Sequence, residues 1–185
     1  AQSCNVCFIR LAQDTGADAL YAMANNFGFD QAITLAGDLG AAKAVIPALS
    51  TLRSVPAAVA NLSFGQGYLT ASPLHIARMV ATVVNDGVQP PVHLIAGYVD
   101  EFGDYTEEQQ GRGQRILSSA TAATLRHMME AVVRTGTGKA AAPTACTAAG
   151  KTGTAETGQK TGDKPVVQSW FAGYFPAENP RYVVT

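Results

Sequence analysis

The segment Gly150-Lys151-Thr152-Gly153-Thr154 combines a cation, hydroxyl groups and glycines at a spacing that could bind an anionic group. Its Gly-Lys-Thr run also ends the phosphate loop of nucleotide-binding proteins, but that loop requires a glycine at position 145, where the chain has Ala, and a helix directly afterwards. The alternative is a strand, which would place Lys151 and Gly153 on one face and Thr152 and Thr154 on the other. On such a strand, Gly153 would let a substrate backbone approach and Lys151 would attract a carboxylate.

A second polar pair, Ser3 and Asn5, lies immediately before a predicted helix. Polar side chains at this position can simply cap the free backbone N–H groups of the helix. Taken alone, the pattern favours a capping turn.

Cys4 and Cys7 have the Cys-x-x-Cys spacing that occurs in redox and zinc sites. Zinc would require further ligands close by. The remaining cysteine and the histidines are scattered singly along the chain, at Cys146, His75, His93 and His127. We therefore predict no metal and no cofactor, and expect the thiols to be buried or half-buried. We expect His127 to face solvent.

Helical periodicity and end signals predict the elements that position these residues. The predicted helices span residues 6–13 and 16–27, a segment from Ser72-Pro73 to Asn85, and a segment from Ser118 or Ser119 to Thr135. Residues 29–68 have no sustained period and are predicted to be loop with short turns. Short extended pieces are expected between residues 88 and 117.

The pattern changes after residue 148, where three strands are predicted over residues 151–156, 166–175 and 181–185. Helices followed by antiparallel strands indicate an α+β fold, with the helices packed on one sheet. We therefore expect a mainly helical part over residues 1–148 and the strands of the site's sheet over residues 149–185. The start at Ala1 and the end within an apolar run lead us to expect a fragment of a larger protein.

Composition excludes several classes of function. The chain has 185 residues, 47% of them hydrophobic, which suffices for one domain with a core. Its 13 basic and 14 acidic residues give a formal net charge of -1, which argues against binding to nucleic acid. No apolar run approaches the roughly 18 residues of a membrane helix.

Together, the two polar segments resemble the Ser-x-Asn and Lys-Thr-Gly motifs of penicillin-binding proteins and serine β-lactamases. Other segments resemble the family's sequence in the same order: Asn26-Phe27-Gly28-Phe29, Ser63-Phe64-Gly65-Gln66-Gly67, Gly136-Thr137-Gly138-Lys139-Ala140 and Trp170-Phe171-Ala172-Gly173-Tyr174. The resemblance extends over nearly the whole chain and is nearest to the class B, monofunctional transpeptidases.

The resemblance implies roles for the candidate residues. Catalytic residues would be Ser3, as a proton relay to the leaving amine, with Asn5 and Lys151; Thr152, Gly153 and Thr154 would bind the substrate. The Thr154 backbone N–H would stabilise the oxyanion. The family's nucleophile is the serine of Ser-x-x-Lys, and no serine of this chain has lysine three positions later. We therefore expect the nucleophile to lie outside this chain, which alone would be inactive.

The implied activity is that of a peptidoglycan D,D-transpeptidase, which transfers an acyl group from a D-Ala-D-Ala stem peptide through an acyl-serine. Expected partners are stem peptides, β-lactams, the rest of the parent protein and cell-wall synthesis proteins, but no nucleic acid. The expected location is the extracytoplasmic face of a bacterial membrane, with one N-terminal anchor helix outside this chain. A β-lactam-sensing receptor domain and a serine β-lactamase remain as alternatives.

Overall fold

The computed structural model describes every residue from Ala1 to Thr185, which form six α-helices and nine β-strands. The helices are α1 Asn5–Thr15, α2 Ala17–Asn26, α3 Leu49–Ser54, α4 Pro56–Ser63, α5 Pro73–Val84 and α6 Ser119–Thr135, with a short 3-10 helix at Lys139–Ala141. The strands are β1 Ile33–Ala36, β2 Leu39–Ala41, β3 Val88–Gln89, β4 Gly97–Val99, β5 Tyr105–Glu107, β6 Gln114–Arg115, β7 Ala149–Thr161, β8 Lys164–Phe175 and β9 Tyr182–Val184.

The four predicted helices are present, and side-chain capping marks the starts of two of them, α5 and α6. Ser72 is the N-cap of α5, where its Oγ accepts a hydrogen bond from the His75 backbone N–H at 3.4 Å, and Pro73 is the first helical residue. Of the two alternatives for α6, the cap is Ser118, whose Oγ accepts from the Thr121 backbone N–H at 3.1 Å. These caps fix the two longest helices at the predicted positions.

The prediction of loop over residues 29–68 is wrong. This region contains the β1–β2 hairpin and the helices α3 and α4. The two helices have 6 and 8 residues, and neither begins with a side-chain capping hydrogen bond. Their periodic signal is therefore short, and their polar start signal is absent.

The three predicted strands form one antiparallel sheet in the order β7-β8-β9. β7 and β8 extend beyond the predicted bounds, whereas β9 is shorter than predicted. Lys151 pairs with Ala172 and Gly153 with Trp170, and the hairpin closes where Thr161 pairs with Lys164. The remaining strands form two-stranded sheets, β1-β2, β3-β6 and β4-β5. Because β7 lies at the end of the three-stranded order, one of its edges is unpaired.

Two clusters of buried side chains hold these layers together. Ala12, Leu52 and Val59 join α1, α3 and α4, while Val80, Ala149 and Tyr174 join α5 to β7 and β8. The fold is therefore α+β, as predicted, with helices packed on an antiparallel sheet. None of the helices combines the length and the apolar character that crossing a membrane would require.

Candidate active site

A cleft of about 880 Å³ lies between the start of α1 and the unpaired edge of β7. Every predicted site residue lines it, although the two groups are separated by nearly the whole chain. Its walls consist of Ser3, Asn5, Phe8, Ser63, Phe64, Gln66, Met79, Thr137, Lys151, Thr152, Gly153 and Thr154. The fold thus brings the two polar segments of the sequence into one site.

Ser3 contacts the strand lysine and does not cap a helix. Lys151 Nζ donates to Ser3 Oγ at 2.5 Å, and Thr137 Oγ1 lies 3.5 Å from the same oxygen. The N-cap of α1 is Cys4, and no side chain bonds the free N–H groups there. The capping interpretation is therefore wrong. Ser3 has φ 51, a left-handed conformation that is uncommon for residues other than glycine and often occurs at functional sites.

Lys151 lies in the middle of the site's polar groups. Besides Ser3 Oγ, its Nζ donates to the Thr152 carbonyl oxygen at 2.5 Å. Its ammonium forms no ion pair with a carboxylate of the chain. Partial burial lowers the pKa of Lys151 because desolvation disfavours its charged form. Since Lys151 lies within β7 and no helix follows it, the nucleotide-loop interpretation is also wrong.

Thr137 connects the two sides of the cleft. Its Oγ1 lies 2.7 Å from Thr152 Oγ1, and its backbone N–H donates to the Ala1 carbonyl at 3.1 Å. Thr137 and Gln66 lie in segments that resemble the family, but the sequence pattern alone did not place them in the site. Their presence in those segments was the signal from which they could have been assigned to the site.

The free edge of β7 explains how consecutive residues share one cleft. The Thr152 carbonyl accepts from Lys151, and the Thr154 carbonyl lies 3.5 Å from Gln66 Nε2, so both carbonyls point away from β8. In an antiparallel strand the N–H and C=O of one residue point to the same side. The Thr152 and Thr154 N–H groups are therefore directed at the unpaired edge. Strict alternation predicts opposite faces for Lys151 and Thr152, but the cleft follows the edge and both side chains reach it.

Asn5 is the first residue of α1 and is exposed on the wall of the cleft. Its amide forms no hydrogen bond within the chain, so both its donor and its acceptor groups can bind a ligand. Gly153 lies opposite Trp170, and an added Cβ would come within 3.3 Å of the Trp170 Cβ. A larger residue at position 153 would therefore press against the Trp170 side chain.

The cysteine prediction is wrong for Cys4 and Cys7, because both are exposed, and holds for Cys146, which is half-buried. Cys4 precedes the first turn of α1, which exposes both thiols at the helix start. No group of three or more His, Cys, Asp or Glu side chains could hold a metal ion. His127 is exposed as predicted and lies 3.7 Å from Glu130.

An α+β fold in which a Ser and an Asn at the start of a helix face a strand-borne Lys-Thr-Gly defines the class of penicillin-binding serine acyl transferases. The penicillin binding protein transpeptidase domain family matches residues 1–185. The chain belongs to this family.

The relatives are consistent with this assignment. Penicillin-binding protein PbpB of Mycolicibacterium smegmatis is 37% identical, across 99% of this chain and 29% of the relative. The peptidoglycan D,D-transpeptidase PbpA of the same organism is 32% identical, across 100% of this chain and 36% of the relative. The crystal structure of penicillin binding protein 3 from Mycobacterium tuberculosis complexed with aztreonam has a TM-score of 0.86 and 33% identity, across 99% of this chain and 42% of that one. The chain thus spans about a third of the curated relatives it matches.

Proposed function

We propose that this chain is part of a peptidoglycan D,D-transpeptidase that transfers an acyl group from a D-Ala-D-Ala stem peptide to the amine of a second stem peptide. The observation that carries the proposal is the 2.5 Å contact between Ser3 Oγ and Lys151 Nζ inside the cleft. It joins a hydroxyl and a cation at the edge of a strand where a peptide could bind. β-Lactams, which resemble the D-Ala-D-Ala end, would acylate the same protein.

In this proposal Ser3 relays a proton. Because Lys151 donates to Ser3 Oγ, the Ser3 hydroxyl hydrogen remains available to a third group. That group would be the leaving amine of the substrate, which must gain a proton as its C–N bond breaks. The lowered pKa of Lys151 supports the relay because it eases proton loss from the lysine to the serine.

The remaining groups would bind and orient the substrate. The Asn5 amide would bond the substrate's amide groups, and Lys151 with the hydroxyls of Thr152 and Thr154 would bind its carboxylate. The Thr154 N–H, directed at the free edge of β7, would donate to the developing oxyanion. A substrate backbone passing Gly153 would thus add to β7 as a further strand.

The attacking serine is proposed to lie outside residues 1–185. No serine of this chain is followed by lysine three positions later. The partners would then be stem peptides, β-lactams and the upstream Ser-x-x-Lys segment of the parent protein. The proposed location is the extracytoplasmic face of the bacterial cell membrane, where peptidoglycan is assembled.

The test is to label the full-length protein with a fluorescent penicillin and to locate the adduct by peptide mass. We expect one adduct, on a serine outside residues 1–185, and none when residues 1–185 are labelled alone. An adduct on any serine of this chain would overturn the placement of the nucleophile. Prior treatment with unlabelled aztreonam serves as the control and should abolish labelling.

A second measurement separates a transpeptidase from a β-lactam receptor and from a β-lactamase. A transpeptidase should exchange the terminal D-Ala of a stem-peptide analogue for an added D-amino acid. A receptor would form the penicilloyl adduct without this exchange, and a β-lactamase would release hydrolysed penicillin rapidly. The names of the relatives favour the first outcome.

A further inference from the structure

Two thiols lie side by side at the start of the helix that carries Asn5. Cys7 Sγ is 3.2 Å from Cys4 Sγ, and both residues are exposed. A disulfide bond would require these sulfurs to approach to about 2.05 Å. Cys4 is the N-cap of α1, with an extended φ of -77° and ψ of 102°, so it can turn toward Cys7 without unwinding the helix.

The two thiols differ in reactivity. Hydrogen bonds from the backbone N–H and the thiol of Cys7 lower the pKa of Cys4, whereas the neighbouring Cys4 sulfur raises the pKa of Cys7. A thiolate stabilised at a helix start is the usual attacking group of a Cys-x-x-Cys pair. Cys4 is thus suited to attack and Cys7 to resolve.

The same pair is directly connected to the cleft. Cys4 is the single residue between Ser3 and Asn5. On one side, Ser3 is held by Lys151 Nζ. On the other, the Cys4 carbonyl accepts the first helical hydrogen bond, from the Phe8 N–H at 3.4 Å. A movement of Cys4 toward Cys7 must therefore rotate the backbone that spaces Ser3 from Asn5.

We propose that Cys4 and Cys7 form a reversible redox pair whose disulfide displaces Ser3 relative to Asn5 and slows acylation of the protein. The effect on acylation rests on the proposed function, whereas formation of the disulfide does not. The partner is an external disulfide, from either a thioredoxin-like oxidoreductase or a low-molecular-weight disulfide such as oxidised glutathione.

The reaction is a balanced thiol–disulfide exchange. The Cys4 thiolate attacks one sulfur of the external disulfide, forms a mixed disulfide and releases one thiolate. Cys7 loses its proton to solvent and attacks the Cys4 sulfur, which forms the Cys4–Cys7 bond and releases the second thiolate. The pair is oxidised by two electrons, and the external disulfide is reduced to two thiols. A dithiol reductant reverses both steps.

The test treats the full-length protein with oxidised glutathione and maps the cysteines by mass spectrometry after alkylation. We expect a peptide in which Cys4 and Cys7 are linked, with the mass of two hydrogen atoms lost, while Cys146 remains alkylated. Alkylation of Cys4 and Cys7 to the same extent as Cys146, or linkage only between molecules, would overturn the proposal. The Cys146→Ser variant should behave as the wild type does.

The consequence is measured on the same samples. Oxidation should slow acylation by a fluorescent penicillin about ten-fold or more, since displacements of about 1 Å in an active site have effects of this size. The double variant Cys4→Ser/Cys7→Ser has no thiol at the helix start and leaves the residues of the cleft unchanged. Under both conditions it should be acylated at the rate of the reduced wild type. An unchanged rate in the oxidised wild type would refute the coupling.

Hydrogen exchange tests the coupling between the disulfide and the cleft without any acylation. If the reduced protein is not acylated at all, the proposed function fails, and the coupling is then tested on the Thr137 amide. That amide donates to the Ala1 carbonyl at 3.1 Å, two residues before Ser3, so its hydrogen exchange should change when the disulfide forms. No change in that exchange would also refute the coupling.

Discussion

The replacement Ser3→Ala tests the central contact of the site. It removes the oxygen that accepts from Lys151 Nζ at 2.5 Å, and it leaves the lysine with the Thr152 carbonyl as its acceptor. A hydrogen bond to a charged group contributes about 1.5–3 kcal/mol, and this pair is partly exposed, so the lower end applies. Each 1.36 kcal/mol corresponds to about ten-fold in rate, so loss of a contact of this size from the transition state would slow acylation about ten-fold.

Loss of the proton relay adds to this effect, because general acid–base catalysis contributes about 10²–10⁴-fold. We therefore expect acylation of full-length Ser3→Ala by a fluorescent penicillin to be at least about 100-fold slower than in the wild type. The lost Lys151 hydrogen bond should lower the free energy of unfolding by about 1.5 kcal/mol at most, because Ser3 is exposed and Lys151 keeps the Thr152 carbonyl as an acceptor.

A matched control is Ser54→Ala, because Ser54 Oγ donates only within α3, to Ser50 and Thr51 carbonyls, and lies outside the cleft. The rate constant for acylation is measured from the increase of fluorescence on the protein, and stability is measured by thermal unfolding. An acylation rate for Ser3→Ala within about two-fold of the control would refute the relay, since a relay is worth far more. A slow rate accompanied by a large fall in stability would attribute the effect to folding.

Three further predictions concern other residues of the site and the core. Asn5→Ala should slow acylation at least about ten-fold through loss of bonds to the ligand, with nearly unchanged thermal stability; reduced stability with normal acylation would contradict this. Acylation should fall in the order Lys151→Arg, Lys151→Ala, Lys151→Glu, and equal rates for Arg and Glu would refute the carboxylate role. Tyr174→Phe should raise the free energy of unfolding by about 1 kcal/mol, because the buried Tyr174 hydroxyl has no partner. Burial raises the pKa of Tyr174 to about 12 from 10.0, so the wild type, but not Tyr174→Phe, should lose stability as the pH rises from 10 toward 12, as pH-dependent denaturation would measure.

The sequence was most informative where local and tertiary requirements agree. Ser72-Pro73 and Ser118 mark the starts of α5 and α6, because capping depends only on neighbouring residues. The three strands of the last 37 residues could likewise be predicted from alternation and a hairpin connection. By contrast, α3 and α4 are short and uncapped, so packing against α1 and α2, rather than local signals, makes them helical.

The site was predicted only in part, for a related reason. The motif segments supplied Ser3, Asn5 and residues 151–154, but spacing alone could not show that Thr137 lies between Ser3 and Thr152. Residues on both faces of β7 reach the same cleft because β7 lies at the edge of the sheet. Strand order is a property of the whole fold, so alternation within one strand does not determine it.

The two sides of the cleft belong to different packing units. Ser3 and Asn5 move with α1, which is anchored by the cluster of Ala12, Leu52 and Val59, whereas Lys151 moves with the sheet that is anchored around Tyr174. Close polar contacts join the sides directly: Ala1 with Thr137, Ser3 with Lys151, and Gln66 with Thr154.

Each of these contacts includes a group at the surface of the cleft, where a ligand or a chemical modification can compete for it. The geometry between Ser3 and Lys151 is therefore more easily altered than either core. Substitutions inside one cluster should lower stability while preserving the contacts across the cleft in the molecules that remain folded. Oxidation of Cys4 acts on the backbone between Ser3 and Asn5 itself, so it should alter acylation at constant stability.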